Sequence, residues 1–494
     1  MKNFTSFAGS FTGLTARAVA KKKYSVLLVG AGGAGGGDVG GGGGGGQVVT
    51  GTAIFSTGSA VVTIGAGGAS AGGTAYGLKG SNTTLTGAVT VSTSDTAIGG
   101  SGGHGRSGGG TYAGGTGYNG GGGSYDFSTS TTYSGGYAGG ATVGAGTSSC
   151  GCGGGGGSGG AAPAGSGSTG GAGGAGVSND ITGASVTYGG GGGGSQFTGG
   201  SGGAGTDGGG NGNGNPGGAG TANRGGGGGG GQSAGSGTGG TGGSGFAVIA
   251  YPASLPDALF ASNATFTNTG GVKRYTWSQS GAIVFKAIDS PTAVSGLIGW
   301  YDMTDVTTTQ WTDKSGSGNH ATISGAAVTS TSAGNGATSI TSCLNGSSGS
   351  HTVLWPTAIL PSTYTLFHVT RYTGGANSRI YTGTGNNWLS GHWGGGSGRF
   401  YHEGWVTPEG GPDHYGTNWF ITTDQNYLAR TNGITRGTAG GGATARLSIN
   451  LCPYGEQSFW QTVECIVYNR TLTLAEYANV EVYLATKYGI TLNT

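Results

Sequence analysis

The side chains best suited to chemistry in this chain fall in two short stretches of its second half, Asn386 to Trp393 and Tyr401 to Trp405. Trp388, Trp393, Tyr401 and Trp405 offer aromatic faces that stack on sugar rings, while His392, His402, Glu403 and the two asparagines offer partners for hydroxyls. An apolar surface with a few convergent polar groups is the usual recipe for a small-molecule site, so a glycan is the expected ligand. Trp388 and Trp405 suit core positions as readily as ligand contacts. Trp393 is followed by Gly394 to Gly396 and is expected at the surface, and His392 and His402 read equally as surface residues that hold nothing.

Other chemistries find weaker support. Hydrolysis of a glycoside needs two carboxylates across one sugar, about 5 to 9.5 Å apart. The nearest acidic cluster, Glu403, Glu409 and Asp413, lies among Gly and Pro in a loop-like stretch, so no enzyme is expected. Asp302, Asp313, Ser315 and Asn319 could ligate a hard cation such as calcium through oxygen. Such residues more often form turns, and neither a metal nor another cofactor is expected. Cys150, Cys152, Cys343, Cys452 and Cys465 are odd in number and form no disulfide framework; Cys150-Gly-Cys152 without neighbouring His reads as structural. Gly30-Ala-Gly-Gly-Ala-Gly35 follows the strand-like Tyr24 to Val29 and matches a dinucleotide fingerprint literally. That fingerprint also needs a helix to follow and an acidic residue about 20 positions on; glycine runs on to Gly46 instead, and a nucleotide site is not expected.

The elements that would position these residues divide the chain by composition. Glycine supplies 127 of 494 residues, concentrated between Gly30 and Gly245, and every tryptophan lies between Trp277 and Trp460. Charge is sparse, 20 Lys and Arg against 18 Asp and Glu, which argues against a chain held open by repulsion. Only Arg106 and Arg224 are basic between Lys79 and Lys273, so nucleic acid is not an expected partner. No apolar run is long enough for a membrane-spanning helix, and the stretch ending at Ala18-Val-Ala20 is too broken by polar residues for a secretory leader. Phe4, Phe7, Phe11 and Leu14 make one stripe of a short amphipathic helix, expected to dock on another copy or on a larger assembly.

The glycine runs Gly40 to Gly46, Gly120 to Gly123, Gly153 to Gly157, Gly189 to Gly194 and Gly225 to Gly231 cannot build a side-chain core. They can form polyglycine II rods, by analogy with polyproline II a left-handed helix of three residues per turn. Ordering a backbone residue costs about 1 to 2 kcal/mol and a net hydrogen bond returns about 0.5 to 1.5 kcal/mol. An isolated rod therefore melts, whereas a bundle with one or two lateral bonds per residue breaks even. A packed multi-rod sandwich is predicted, seated on a small β layer in which Ala60 to Ile64 pairs with Phe246 to Tyr251; Ala88 to Val91 and Ala184 to Tyr188 are further strands.

Tyr24 to Gly36, Val62 to Gly68, Ile181 to Gly194 and Gly220 to Gly231, ending in Gly242-Gly-Ser-Gly-Phe-Ala-Val-Ile-Ala-Tyr-Pro252, together resemble the glycine-rich domain of phage tail-fibre and receptor-binding proteins. An Arg commonly precedes the final Tyr-Pro in that family; here it is Ala250. The resemblance implies a virion fibre or adhesin that attaches to a host surface, frequently as a homotrimer.

Beyond Pro252, residues 253–294 read as a β spacer with turn signals. From about Ser295 the chain reads as a β-sandwich, with strands at Gly296 to Asp302, Tyr364 to Arg371, Arg446 to Asn450 and Thr462 to Tyr468. One late helix is capped by Thr473 with Glu476 and carries the apolar stripe Tyr477, Val480 and Leu484. Leu297 to Asp302 leading to Trp311 to Thr322, and Val463 to Glu476 leading to Tyr483 to Gly489, resemble concanavalin A-like, laminin-G-like sandwiches, a group that includes lectins, glucanases and spacers. The expected organisation is a mainly β chain with an attachment and oligomerisation segment at 1–23, a polyglycine II domain at 24–252, the spacer at 253–294 and a lectin-type sandwich at 295–494. It implies a homotrimer on the virion surface, joined to tail or capsid proteins through its N-terminus and facing a host-surface glycan. A bacterial surface adhesin or a purely structural decoration or filament protein is the alternative.

Overall fold

The computed structural model describes residues 22–70, 72–106, 115–131, 133–197, 199–232, 237–408, 414–438 and 445–493. The Phe4, Phe7, Phe11 and Leu14 stripe, and Glu409 and Asp413, lie outside them. The fold is mainly β, with antiparallel sheets and one α-helix among the described residues.

A nine-stranded sheet forms the base of the glycine half, ordered 96–97, 83–91, 48–63, 24–29, 246–252, 272–277, 264–269, with 281–286 also paired to 48–63 and to 260–261. The strand Tyr24–Val29 stands between the two strands expected to pair directly: Val26 faces Gly51 on one side and Ile249 on the other. Its composition explains that central place. Alternate side chains of a strand point to opposite faces, and both faces here are apolar: Tyr24, Val26 and Leu28 join one core, Leu27 and Val29 another with Tyr188 and Val248. Residues 253–294, expected as a spacer, are built into this same sheet through Ala264–Thr269, Val272–Trp277 and Gly281–Lys286.

Above the sheet the glycine runs stand as bundled rods. The N–H groups of Gly40, Gly43 and Gly46 donate to the carbonyls of Gly231, Gly228 and Gly225. Those of Gly41, Gly44 and Gln47 donate to His104, Ser101 and Ile98, and those of Gly42 and Gly45 to Gly153 and Gly156, all between 2.8 and 3.2 Å. Partners recur every third residue, so each rod completes a turn in three residues, as polyglycine II requires. The first two neighbours run antiparallel to this rod and the third runs parallel. Close approach is possible only without side chains: a Cβ on Gly155 would overlap the carbonyl oxygen of Gly43. The fingerprint-like segment obeys the same rule. Gly32 and Gly35 donate to Gly243 and Gly240, Gly33 and Gly36 to Gly44 and Gly41, which commits the amides a phosphate would need.

The second half is a sandwich of two eight-stranded sheets. One includes Leu297–Asp302, Thr365–Asn377, Phe420–Gln425 and Ser458–Tyr468; the other includes Ala321–Ser324, Leu447–Ile449, Tyr381–Gly383, Trp388–Trp393 and Gly396–His402. Tyr301, Trp311, Trp355, Tyr381, Trp388 and Trp460 fill the space between them. The helix Leu474–Tyr488 carries the expected capping box, in which Thr473 accepts from the Glu476 amide, and it ends at Gly489 in the left-handed conformation with φ 64°. Tyr477, Val480 and Leu484 are all buried. This helix belongs to one apolar cluster that holds Phe367, Val369, Ile421 and Val463 of the sandwich together with Phe260, Ala282 and Val284 of the base sheet. The two halves thus share a core, and the Ser59 hydroxyl donates to the Ala475 carbonyl at 3.0 Å across it.

Candidate functional site

The hairpin of Trp388–Trp393 and Gly396–His402 carries all but one of the six residues expected to meet a glycan. Its two-residue turn, Gly394 and Gly395, has φ 56° and 83°; positive φ at both central positions is the geometry that matches strand twist in tight hairpins and favours glycine. Position along the strand then sorts the side chains: Trp388 to His392 are all buried, and Trp393, the last residue before the turn, is half-buried at the rim. Tyr401 is half-buried and its neighbour His402 buried.

Three of the six are therefore interior. Trp388 stacks on His402 with ring centres 5.4 Å apart and donates through Nε1 to the Tyr364 hydroxyl at 3.2 Å. His402 Nε2 lies 3.3 Å from Asp424 Oδ2, both side chains fully enclosed. His392 packs edge-on to Tyr372 at 5.0 Å, and burial lowers its pKa to about 3, so its ring is neutral. Nearby His368, also buried and pushed well below the usual histidine range by burial, stacks on Tyr381 at 4.0 Å. Trp388, His392 and His402 thus lie in the interior and not at the surface with Trp393.

Trp393, Tyr401 and Trp405 do come together at the surface. Trp405 follows the hairpin and folds back through a bridge to Tyr401. Its ring lies 5.1 Å from Tyr401 and 5.4 Å from Trp393, edge-to-face in both pairs, an arrangement favoured by the ring quadrupoles. The indole Nε1 of Trp393 donates to Glu456 Oε1 at 3.2 Å. Glu456 also accepts from Arg379 Nε, and the Arg379 guanidinium sits 5.4 Å over the ring of Tyr454, which is 58% exposed. Arg399 lies 5.6 Å over Trp393. The result is a continuous band from Tyr401 through Trp405 and Trp393 to Glu456, Arg379 and Tyr454. Sequence reasoning missed the last three; Pro453-Tyr-Gly-Glu456 is a turn signature with an aromatic at its tip, and nothing in linear order ties it to Trp393.

The oxygen constellation proves to be occupied by protein. Asp302 accepts from the Thr304 amide and hydroxyl and pairs with Lys314 at 2.9 Å and Lys487 at 3.1 Å. Burial raises its pKa, yet the bonds from Thr304 and Lys314 prevail and hold it at about 2. Asp313 accepts the amides of Trp300, Ser315 and Asn319 and the Ser315 hydroxyl, and Asn319 Nδ2 donates to the Ile298 carbonyl at 2.8 Å. These residues act as turn formers and ion-pair partners. Glu403, with φ 57°, accepts the Asn387 amide at 2.7 Å and so serves the loop beside the aromatic band.

No curated protein sequence matches this chain. Among solved structures it is similar to Trypanosoma rangeli sialidase at 12% identity, over 49% of this chain and 52% of that one, with a TM-score of 0.27. It is also similar to the binding domain of Paraclostridial Mosquitocidal Protein 1 at 13% identity, over 40% and 52%, with a TM-score of 0.27. The chain spans about half the length of these structures. The glycine-rich domain family matches residues 5–252, the stretch that holds the rods and the strands Tyr24–Val29 and Phe246–Pro252 bracketing them, and the chain belongs to that family.

Proposed function

We propose that this chain is a fibre or adhesin of a virion surface that attaches to host-cell glycans through the band Trp393, Tyr401 and Trp405. The observation that carries this reading is the gathering of three half-buried aromatic rings beside Glu456. Ring faces stack on the C–H face of a sugar while the carboxylate and neighbouring guanidinium groups meet hydroxyls, the division of labour expected of a small-ligand site. The rod bundle is a stiff, sparsely charged stalk, and its end of the molecule faces the carrier, a tail or capsid protein. The site binds without turnover: Glu456 is tied to Arg379 and Glu403 to the Asn387 amide. The assembly is a homotrimer, and light scattering that returned the 47.3 kDa of one chain would count against it.

A glycan array probed with the full-length chain tests the reading. Binding to a restricted set of sugars is the expected result; silence on the array and on intact host cells alike would sink it. A decoration or filament role is the second reading, favoured by the chemical blandness of the glycine body, and incorporation into particles without any host-surface binding would select it.

A further inference from the structure

We propose that the edge strand Ala264–Thr269 of the base sheet pairs antiparallel with the same strand of a second copy, joining two chains across a two-fold axis. Among the described residues this strand pairs only with Val272–Trp277, from Thr269 to Ala264 without a bulge. The two strands are joined by Gly270 and Gly271, with φ 61° and 73°, a tight turn whose flanking residues, Thr269 and Val272, exchange both backbone bonds. Bonded and non-bonded pairs alternate along an antiparallel ladder, so Thr265, Thr267 and Thr269 direct their backbone groups to the neighbouring strand. The N–H and C=O groups of Ala264, Phe266 and Asn268 therefore point outward, and five of the strand's six residues are exposed.

Sheet edges are kept from pairing by shortness, charge, proline or a bulge, and this one has none of these. At the opposite edge of the same sheet Thr96–Ala97 is two residues long, and the sandwich sheets end in strands of two to four residues. Ala264–Thr269 has six, Ala-Thr-Phe-Thr-Asn-Thr, with no charge and no proline. Three features choose a second copy as the occupant. Antiparallel self-pairing centred on Phe266 sets Phe266 opposite Phe266 and Ala264 opposite Asn268, so every outward donor and acceptor of both copies is matched; a centre on Thr265 or Thr267 leaves one residue of each copy unmatched. An uncharged strand meets its own copy without like charges face to face. Phe266, 43% exposed, ends a row of rings in which it lies 4.9 Å from Tyr275 and Tyr275 lies 6.3 Å from Tyr251, and the second copy's Phe266 continues that row and covers the open ring. Such a contact is isologous and independent of the threefold assembly proposed above, because it joins two chains or two trimers alike.

Phe266→Cys in the full-length chain tests this, made together with Cys452→Ser because Cys452 is the one native thiol not fully buried. After incubation with oxidised glutathione, a non-reducing denaturing gel should show a two-chain band at least fivefold stronger than for Thr265→Cys in the same background, since the pairing sets Thr265 opposite Thr267 and on the other face. No two-chain band, or one as strong from Thr265→Cys, would overturn the proposal. Light scattering at micromolar concentration gives a second readout. Phe266→Pro removes an outward donor, and Phe266→Lys keeps the backbone but sets two lysines face to face. Each should halve the mass of the unsubstituted chain, from two chains to one or from six to three. A trimer that both variants leave intact would keep the threefold assembly and overturn the pairing.

Discussion

Trp388 and Trp393 sit on one strand, and their opposite burial makes them a matched pair for separating stability from binding. Trp393→Ala and Trp405→Ala remove half-exposed rings, so glycan affinity should fall at least tenfold with unfolding midpoints little changed; unaltered affinity would move the site elsewhere. Trp388→Ala opens a cavity between the sheets and should cost about 3 to 5 kcal/mol, measured by chemical denaturation. The histidines set a pH dependence. Burial lowers His104 to about 4 and His392 to about 3, and lowers His368 as well. The unfolded chain therefore takes up protons first as pH falls below about 6.5, and stability, complete above that pH, is lost toward pH 4. Each histidine contributes a slope of up to about 1.4 kcal/mol per pH unit, so denaturation at pH 7 and pH 5 should differ by several kcal/mol. Asp302, held near 2, and Glu476, lowered to about 2 chiefly by its bond from Arg470, continue the loss below about pH 4. A flat profile between pH 7 and pH 5 would contradict neutral interior histidines.

At the level of elements, the rods make the sharpest claim. Gly155→Ala should destabilise by about 3 kcal/mol or more, since backbone rather than a movable side chain occupies the space. Gly72→Ala, exposed and with only the Thr238 hydroxyl nearby at 3.8 Å, should change stability by less than about 0.5 kcal/mol. Equal melting of the two variants would refute the close-packed bundle. The rods were legible in sequence because a glycine run leaves few other ordered forms, and the helix was legible because Thr473, Glu476 and its stripe announce it. Strand order was not: Tyr24 to Val29 reads as a strand from composition, but its central place depends on which apolar face meets which partner across the chain. The buried state of His392 and His402 was not legible in the sequence, because every residue from Trp388 to His392 is buried whichever face it takes, and Glu456 and Arg379 likewise reach the aromatic band only through the fold.

For the whole molecule, the shared core around the helix Leu474–Tyr488 predicts one cooperative unit. Val284→Asp places a charge among base-sheet, helix and sandwich side chains, and calorimetry should show both halves melting together at lower temperature; a sandwich transition left in place would show two independent bodies. This coupling makes the position of the aromatic band relative to the stalk a fixed property of the molecule, where a flexible spacer would have left it free. The three-residue period of the rods reaches further, into how such a chain can change length. One inserted residue turns everything beyond it by a third of a revolution and aims each amide at the wrong neighbour, while three restore every partnership in a rod one turn longer. Insertions and deletions in these tracts are therefore tolerated in triplets of residues, and the stalk grows or shrinks in steps of about 9 Å.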